Sequence, residues 1–480
     1  MKRMLVLAGA LTVITTGEAA AGGFRVANCQ SDGLNYSTQA FTDFASRGMA
    51  ITRACDPEGD GLRGLVTASS VQLRSVPRGA VAFVNLSAPP GTRFENFTWA
   101  GIMSRSDCTY ALQLYALVPG VKPISIKNVR ANSNCPRTAR AQGAAYHSRT
   151  FNVNGATRIV QRIICLGSRG RNYCSARGAN YILSYKAEVS VVDIAPPTIS
   201  IIGDTPLARG EWVGGSQPLN YDATDNVGVR NAQVVAAGIS GGSDPRACTM
   251  ASGLAYASLV PCPNGPGHIE VKTVLFPEGT QALVAQAEDT ATNVGSAEVT
   301  ARIDNTPPGR VDVAVQGGDA WRSTNDFVVA WANPPETDRA PIVSAITKLC
   351  PVGSGACTSG EPTGADIASF AQPVPAPGEW TLVLWRRDAA GNQTETAASV
   401  PVTLRYDPDP PQLGFEASPA TDPTLVSVQA TDNVSGLADG TIEISREGSN
   451  TWQELATQMD GSRLTARIDD AALPEGRYQL

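Results

Sequence analysis

The chain has 480 residues, of which 42% are hydrophobic and only 17% are charged, and its formal net charge is −6. This length is enough for roughly three or four domains, and the hydrophobic content excludes a chain that is disordered throughout. Beyond the N-terminus no stretch is apolar enough to cross a bilayer, so the sequence predicts no transmembrane segment.

The N-terminus has the three parts of a secretory signal peptide. Lys2 and Arg3 form a positive region, residues 4–14 are apolar, and residues 19–21 are three alanines that resemble a cleavage site. The apolar run is shorter than the roughly 20 residues of a membrane-spanning helix. We therefore expect residues 1–21 to be removed and the mature chain to be secreted or held at the cell surface.

The ten cysteines are typical of export into an oxidising compartment. A zinc site is disfavoured because the spacings are not C-x-x-C and histidine is nearly absent. Several arrangements are open for the six cysteines between residues 22 and 192, and we expect neighbours in sequence to pair. The expected disulfides are Cys29–Cys55, Cys108–Cys135, Cys165–Cys174, Cys248–Cys262 and Cys350–Cys357.

Residues 22–192 form the first predicted domain. Four stretches in it have the composition of strands and are separated by turns rich in glycine and proline. These stretches are residues 81–86, 124–129, 157–165 and 181–192. We expect one β-sandwich of jelly-roll type, which resembles lectin-like sandwich domains.

The remainder of the chain is repetitive. The pattern D-x-x-P-P occurs at residues 193–197, 304–308 and 407–411, at spacings of 111 and 103 residues. These spacings are about the size of one immunoglobulin-like sandwich. Each pattern follows a stretch of alternating apolar and polar residues, which is typical of a strand with one buried face. The predicted domains are repeat 1 (193–303), repeat 2 (304–406) and repeat 3 (407–480).

Shorter motifs recur inside the repeats. Residues 223–228 (A-T-D-N-V-G) recur at residues 430–435 as A-T-D-N-V-S, and Asp388-Ala-Ala-Gly-Asn392 has a counterpart at residues 288–293. This ordered recurrence resembles the bacterial immunoglobulin-like repeats of secreted surface proteins, and Trp331 with its neighbours also resembles fibronectin type III. The resemblance covers residues 193–480. It implies tandem two-sheet sandwiches and no particular ligand.

Repeat 3 is shorter than the others. Residues 474–476 match residues 277–279, which are followed by 24 residues before the next D-x-x-P-P, whereas only residues 477–480 follow the match in repeat 3. We therefore expect an incomplete last sandwich and a chain that is part of a longer protein. An anchor or a further domain would then lie beyond Leu480.

Charge is distributed unevenly. Residues 22–192 carry 20 basic and 8 acidic residues, a charge of +12, whereas residues 193–480 carry −19, and no acidic residue lies between Asp107 and Glu188. This asymmetry favours an anionic partner such as a cell-wall polymer or glycan, because guanidinium binds phosphate and carboxylate through paired hydrogen bonds. A solvated basic surface is the alternative. The candidates are Arg130, Arg137, Arg140, Arg149, Arg158, Arg162, Arg169, Arg171 and Arg177.

The sequence offers little for catalysis. His147 and His268 are the two histidines and lie in different predicted domains, so a Ser-His-Asp triad is not indicated. Residues 238–242 match G-x-S-x-G, but turn-forming residues follow where the motif needs a helix. Residues 59–64 match G-x-G-x-x-G without a β-α-β context. We expect no enzymatic activity.

Calcium is the one cofactor for which the sequence gives any indication. Residues 56–61 resemble the start of a calcium loop, but Thr67 stands where a bidentate carboxylate is required. The acidic residues before the paired prolines are similar to the linker of cadherins, although such residues more often form turns. The calcium candidates in the repeats are Asp225, Asp304 and Asp432.

Together these features predict an all-β, secreted structural or adhesion protein. The acidic repeats would serve as a spacer, and the basic N-terminal domain would contact anionic envelope or matrix polymers. The alternatives are a carbohydrate-binding, lectin-like module on an extracellular scaffold, or an accessory region of a longer secreted enzyme. Charge-driven adhesion should weaken with salt, whereas stacking on sugar should not. No signature of specific nucleic-acid binding is present, and the sequence does not indicate an oligomeric state.

Overall fold

The computed structural model describes residues 22–31, 34–35, 40–53, 65–69, 73–131, 148–168, 170–252, 255–335 and 337–480. The predicted signal peptide lies outside these ranges. Within them the regular structure is almost entirely strand, and the helices are two three-residue 3-10 turns, Thr273–Leu275 and Glu395–Ala397. None of the described helices has the length and apolar character needed to span a bilayer.

The chain forms two compact units. The first contains the residues up to Glu211 together with Gly215–Arg302, and the second contains Trp212–Gly214 and Ile303–Leu480. The first unit therefore holds the N-terminal domain and most of repeat 1, and the second holds repeats 2 and 3.

The described part of the N-terminal domain has two large sheets and a short two-stranded antiparallel sheet. Its strands are β1 (Gly22–Ser31), β2 (Leu34–Asn35), β3 (Phe41–Ala45), β4 (Met49–Arg53), β5 (Leu65–Ser69), β6 (Ser75–Pro77), β7 (Val81–Ser87), β8 (Arg93–Ser104), β9 (Tyr110–Leu117), β10 (Ile124–Val129), β11 (Arg149–Ala156), β12 (Arg158–Cys165), β13 (Tyr173–Ser175) and β14 (Tyr181–Asp193). One large sheet has the order β11-β8-β14-β1, the other has the order β10-β9-β12-β7-β3, and the short sheet is β6-β13. The four strands predicted in this domain are confirmed, and the jelly-roll connectivity stays a prediction.

The core between these sheets follows from the alternation of side chains along each strand. Ala82, Val84 and Leu86 of β7 are fully buried, as are several residues of β9 and β12. Gln161 is a polar exception, but its hydrogen bonds are satisfied. Its side-chain amide donates to the Leu65 carbonyl at 3.2 Å and accepts from the Ser184 hydroxyl at 2.5 Å, so its burial is compensated.

Repeat 1 is a sandwich of a three-stranded sheet and a larger sheet. The strands of this region are β15 (Thr198–Ile201), β16 (Trp212–Val213), β17 (Ser216–Thr224), β18 (Val229–Ala236), β19 (Ile239–Pro245), β20 (Met250–Ser252), β21 (Ala255–Tyr256), β22 (Gly265–Lys272), β23 (Gly279–Asp289) and β24 (Val294–Ile303). The smaller sheet has the order β15-β17-β22, and the larger contains β24-β23-β18-β19. The predicted alternation before the second D-x-x-P-P is confirmed, because Val299 and Ala301 are buried and Thr300 between them is exposed.

Repeat 2 has the same strand order. Its strands are β25 (Val313–Val315), β26 (Val328–Trp331), β27 (Ile342–Pro351), β28 (Thr358–Gly360), β29 (Ser369–Ala371), β30 (Gly378–Asp388) and β31 (Val402–Tyr406). The sheets are β25-β26-β29 and β28-β27-β30-β31. Trp331 lies in the core and meets the Phe370 ring edge to face, with the ring centroids 5.9 Å apart.

Repeat 3 shows a related arrangement. Its strands are β32 (Gln412–Glu416), β33 (Leu425–Thr431), β34 (Glu443–Arg446), β35 (Gln453–Glu454), β36 (Gln458–Asp460), β37 (Arg463–Arg467) and β38 (Tyr478–Gln479). The sheets are β32-β33-β37-β36 and β35-β34-β38. Strand β38 pairs with β34 as β23 pairs with β18, which agrees with the predicted match between residues 474–476 and 277–279.

The N-terminal domain and repeat 1 are joined within the first unit. Strand β21 pairs in parallel with β1 at Val26 and Tyr256, and the Tyr256 ring meets the Phe24 ring edge to face at 5.7 Å. Val227 and Ala291 of repeat 1 belong to the same buried core as the N-terminal strands. The two domains therefore share apolar surface.

Three disulfides join cysteines that both lie in the described residues: Cys165–Cys174, Cys248–Cys262 and Cys350–Cys357. Each joins a pair of sequence neighbours, as expected. Cys29 and Cys108 are also disulfide-bonded. Cys55 and Cys135, the expected partners of these two residues, lie outside the described residues.

Candidate functional sites: a basic sheet face and the domain junctions

The outer face of the sheet β10-β9-β12-β7-β3 gathers cationic, aromatic and amide side chains. Strand register aligns two cross-strand rows on this face. The first row is Phe44, Phe83, Arg162, Gln113 and Asn128, and the second is Thr42, Asn85, Val160, Tyr115 and Ser125. Because side chains alternate along a strand, Arg158 lies on the same face as Arg162. We call these two rows, together with Arg158 and Lys127, the basic sheet face.

Arg162 is held in place at the centre of the basic sheet face. Its guanidinium carbon lies 5.5 Å from the centroid of the Tyr115 ring, a cation–π contact. Its Nε donates to Gln113 Oε1 at 2.9 Å, and its Nη2 donates to the same oxygen. A shallow cavity of about 380 Å³ lies beside it, and its lining includes Tyr115, Lys127 and Arg162.

An aromatic pair lies at the other end of the same row. The Phe44 and Phe83 rings stack with centroids 5.5 Å apart, and Phe44 is 52% exposed. An exposed ring beside polar side chains is the kind of surface against which a sugar ring can pack. The face therefore combines an apolar platform with a positioned cation.

The structure distributes the predicted anion-binding arginines over several elements. Arg158 and Arg162 lie on the basic sheet face, whereas Arg149 begins β11 in the other sheet. Arg171 stacks over Tyr173 at 5.5 Å, next to β13. The remaining described candidates, Arg130 and Arg177, follow β10 and β13. Arg137, Arg140 and Arg169 lie outside the described residues.

The aspartates of the three D-x-x-P-P patterns share one local structure. Asp193, Asp304 and Asp407 are 1%, 1% and 7% exposed. In each, Oδ1 accepts a hydrogen bond from the backbone N–H two residues later, at 3.2, 3.0 and 3.1 Å respectively. This is an Asx turn, which explains why aspartate precedes the paired prolines at every domain boundary.

A second recurring motif holds the junction aspartate. In repeat 2, the Asn392 backbone N–H and side-chain amide donate to the two carboxylate oxygens of Asp388, and the amide also donates to the Asp304 carbonyl at 2.9 Å. In repeat 1, Asn293 makes the same contacts with Asp289 and with the Asp193 carbonyl. The recurring D-x-x-x-N motif is therefore a clamp on the junction aspartate of its own repeat.

The three junctions differ at the second carboxylate oxygen. Asp304 Oδ2 accepts from the Ala340 N–H at 2.8 Å, and Arg339 lies 3.2 Å from its Oδ1. Asp407 Oδ2 accepts from the Ser435 N–H at 2.9 Å, and hydrogen bonding lowers the pKa of Asp407. Asp193 Oδ2 is buried and has no hydrogen-bond partner among the described residues.

At the first junction, three carboxylates converge. Asp193, Asp225 and Asp289 each offer an oxygen, and these oxygens lie within 4.8 Å of one another. Burial raises the pKa of Asp289 to about 6, and the other two carboxylates act in the same direction. Burial also raises the pKa of Asp225. We call these three residues the carboxylate cluster.

The predicted calcium candidates therefore have three different environments. Asp225 belongs to the carboxylate cluster, whereas Asp304 is paired with Arg339. Asp432 accepts from the backbone N–H groups of Val434 and Gly436 and forms a turn. Asp193 and Asp289 were not predicted as partners of Asp225, although both lie in recurring motifs. The calcium loop suggested at residues 56–61 lies outside the described residues.

No protein-family model and no curated protein matches the sequence. Among solved structures, the fibronectin(III)-like modules of CbhA from Clostridium thermocellum match at 14% identity, over 44% of this chain and 93% of theirs, with a TM-score of 0.24. Domains of titin match at 10% identity, over 81% and 100%, with a TM-score of 0.30. A structure concerning host cell surface retention of a bacterial ice-binding adhesin matches at 14% identity, over 57% and 87%, with a TM-score of 0.27.

At these TM-scores the assignment of the fold rests on strand order and pairing. In both repeats, three corresponding strands form one sheet and four corresponding strands form the other. The strand pairs within these sheets are antiparallel. This is the architecture of an immunoglobulin-like sandwich of the fibronectin type III kind. The chain is thus an all-β repeat protein of immunoglobulin-like and fibronectin type III-like domains.

Proposed function

We propose that this is an extracellular structural or adhesion protein, in which the acidic repeats act as a spacer and the basic sheet face contacts an anionic polymer. The observation that carries the proposal is the position of Arg162, fixed between Tyr115 and Gln113 on an outer sheet face. It lies within a stretch that contains no acidic residue between Asp107 and Glu188.

The chemistry of Arg162 suits a carboxylate or phosphate group. A guanidinium has five N–H donors, and its planar fork can bind two oxygens in parallel. Stacking on Tyr115 and bonding to Gln113 reduce the rotamer freedom that the side chain would lose when it binds a ligand. Lys127 in the same cavity adds a second positive charge.

Export is part of the same proposal. Three disulfides support it, because structural disulfides persist mainly in oxidising compartments. The predicted signal peptide agrees with this localisation. A cell-wall polymer or an acidic glycan would be available to a protein in that location.

A second candidate function is binding of a neutral carbohydrate by a lectin-like domain. The exposed Phe44 ring, stacked on Phe83 in the same row as Arg162, favours it. Sugar rings pack on aromatic faces without any requirement for charge, so such binding would resist salt. An accessory role in a longer secreted enzyme remains a hypothesis that further sequence would test.

We also propose that the chain is not an enzyme. His268 is exposed on β22 opposite Asn220, and His147 lies outside the described residues. The G-x-S-x-G match at residues 238–242 falls in a β-hairpin, where β18 and β19 pair, and not between a strand and a helix. This arrangement supports the interpretation that the serine is not a nucleophile.

The test is binding of the full chain to an immobilised polyuronate and to teichoic acid at low and high salt. We expect binding that weakens steeply as salt rises, because exposed charges are screened. Arg162→Gln should weaken binding about tenfold, which corresponds to about 1.4 kcal/mol. Arg171→Gln is the matched control, since Arg171 stacks on Tyr173 at the same 5.5 Å distance but lies outside the sheet.

Three results would argue against the proposal. Equal loss in both variants would mean that diffuse charge, and not the basic sheet face, binds the polymer. Salt-resistant binding to a neutral sugar that is lost in Phe44→Ala would establish the second candidate. Absence of binding to any of these ligands would reject both functions of the face.

A further inference from the structure

We propose that Asp193, Asp225 and Asp289 form a binding site for a hard divalent cation such as Ca²⁺, built into the joint between the N-terminal domain and repeat 1. The three residues come from different elements of the first unit. Asp193 ends β14, Asp225 lies in the turn after β17, and Asp289 ends β23. Their oxygens lie within 4.8 Å of one another.

The first argument is the state of Asp193. Its side chain is 1% exposed, and Oδ2 has no hydrogen-bond partner in the described part of the chain. Burying an ionised oxygen without a partner is costly, and native proteins rarely do so. Two further carboxylates nearby increase that cost by mutual repulsion. A bound cation removes both penalties at once.

The second argument comes from the corresponding site in repeat 2. Both repeats contain the Asx turn and the asparagine clamp. Asp193, Asp289 and Asn293 of repeat 1 correspond to Asp304, Asp388 and Asn392 of repeat 2. In repeat 2, however, the junction carboxylate has a cation of its own, because Arg339 lies 3.2 Å from Asp304. No lysine, arginine or histidine forms an ion pair with the carboxylate cluster within the described ranges. The two repeats thus meet the same requirement differently, with a guanidinium in one and, we infer, a metal ion in the other.

The third argument is the chemistry of the available ligands. All three anionic ligands are carboxylates, and the side-chain oxygens of Asn226 and Asn293 are buried without a hydrogen-bond partner among the described residues. Calcium is typically bound by six to eight oxygens from carboxylates, amide carbonyls and water. Zinc and copper sites in proteins usually include histidine or cysteine, and the cluster contains neither.

Cation binding would also tie the two domains together. Asn226 donates from one side-chain nitrogen to the Pro90 carbonyl of the N-terminal domain at 2.8 Å and to Asp193 Oδ1 at 3.2 Å. Asp193 is the last residue of an N-terminal strand, whereas Asp225 and Asp289 belong to repeat 1. The proposed ion therefore has ligands from both sides of the joint, and its binding should stabilise the joint.

The experiment is calorimetric titration of the chelator-treated full chain with CaCl₂, followed by thermal unfolding with and without the ion. We expect one saturable site at the cluster and a higher melting temperature for the first unit when calcium is bound. Asp289→Asn should weaken binding at least about tenfold. Asp388→Asn is the matched control, because it changes the same clamp in repeat 2, where Arg339 supplies the charge.

Asp225→Asn provides a second variant in case Asp289→Asn fails to fold, because Asp225 is partly exposed. It should weaken calcium binding while leaving the circular dichroism spectrum unchanged. A folded wild-type chain without a saturable calcium site would overturn the proposal. Equal loss of calcium affinity in Asp289→Asn and Asp388→Asn would also overturn it, since the site would then lie elsewhere.

Discussion

Asp304 is almost fully buried, and its carboxylate is held by the Arg339 guanidinium and by the Ala340 backbone N–H. Removing one partner of a buried charge leaves the other partner unpaired, which costs more than the net value of the pair. Arg339 is therefore expected to contribute to the stability of the junction around Asp304.

We predict that Arg339→Met lowers the free energy of unfolding of repeat 2 by about 2 kcal/mol. Arg387→Met is the control, because Arg387 pairs at 2.6 Å with Glu361, and the two side chains are 33% and 38% exposed. Loss of such an exposed pair should cost no more than about 1 kcal/mol. Denaturant unfolding followed by tryptophan fluorescence measures both. If both variants lost a similar amount of unfolding free energy, the burial of Asp304 would not explain the contribution of its ion pair with Arg339.

Asp388 gives a prediction about pH. Burial raises its pKa above the usual value of 3.8, and the neighbouring Asp304 charge adds to this. Such a group binds its proton more tightly in the folded state, so its contribution to stability falls as pH rises above 3.8 and through the raised pKa. Asp388→Asn removes this titration. The wild type should therefore lose stability relative to the variant as pH rises from about 4 to about 7.

Unfolding free energies of the wild type and Asp388→Asn, measured across that pH range, test the sign. The difference between the two proteins isolates this one group, because all other titrating residues are common to both. A difference that stays constant, or that moves in favour of the wild type as pH rises, would contradict the raised pKa.

At the scale of elements, the turn between β17 and β18 shows why glycine ends the A-T-D-N-V-G motif. Gly228 has a φ of +84°, and a Cβ atom there would lie 2.1 Å from the Cys262 carbonyl oxygen. The turn must pass close to the backbone of the loop that the Cys248–Cys262 disulfide closes. Both the backbone conformation and the available space exclude a side chain at this position.

We predict that Gly228→Ala destabilises repeat 1 by at least about 3 kcal/mol, because strain from the positive φ adds to a clash with backbone. Gly238 is the matched control, with a φ of +82° and open space around its Cα. Gly238→Ala should cost about 1 kcal/mol. Thermal unfolding under non-reducing conditions compares the two. A loss no greater than that of Gly238→Ala would mean that the loop moves aside at little cost.

The strands were predictable because the pattern that specifies a strand is local. The predicted stretches at residues 81–86, 124–129, 157–165 and 181–192 differ from the observed strands by at most one residue at either end. The pairing of strands was not predictable from local patterns. Phe44, Phe83 and Arg162 come together only because β3, β7 and β12 are neighbours in one sheet.

The same limit applies to the candidate sites. Asp225 was selected from a recurring motif, but Asp193 and Asp289 join it through contacts between residues that are far apart in sequence. Glu188 lies in the alternating stretch before the first D-x-x-P-P, where the pattern predicts that polar residues face solvent. The structure differs, because Glu188 is only 8% exposed. Consecutive residues of β14 are buried, so both of its faces are largely covered, and Glu188 is paired with Arg25 at 3.1 Å.

At the scale of the first unit, the N-terminal domain and repeat 1 are coupled through the loop that contains β20 and β21. Strand β21 continues the N-terminal sheet beyond β1, and Ala251 and Ala255 pack with Ala27 in a small buried cluster. Tyr256 is partly buried against the main core. This loop belongs to repeat 1, but it completes the edge of the N-terminal sheet. Local unfolding of either domain should therefore expose buried surface of the other domain to solvent.

Tyr256→Ala tests this coupling. The substitution removes the edge-to-face contact with Phe24 and the apolar cover of β1, so the amides of residues 22–31 should exchange hydrogen faster by roughly tenfold. Hydrogen exchange of the full chain, followed by mass spectrometry with disulfides intact until digestion, measures this. Tyr173→Ala is the control, because that ring lies in the N-terminal domain and is 47% exposed. If β1 exchanged at the wild-type rate in Tyr256→Ala, the N-terminal sheet would be stable without the loop, and the two domains would open independently.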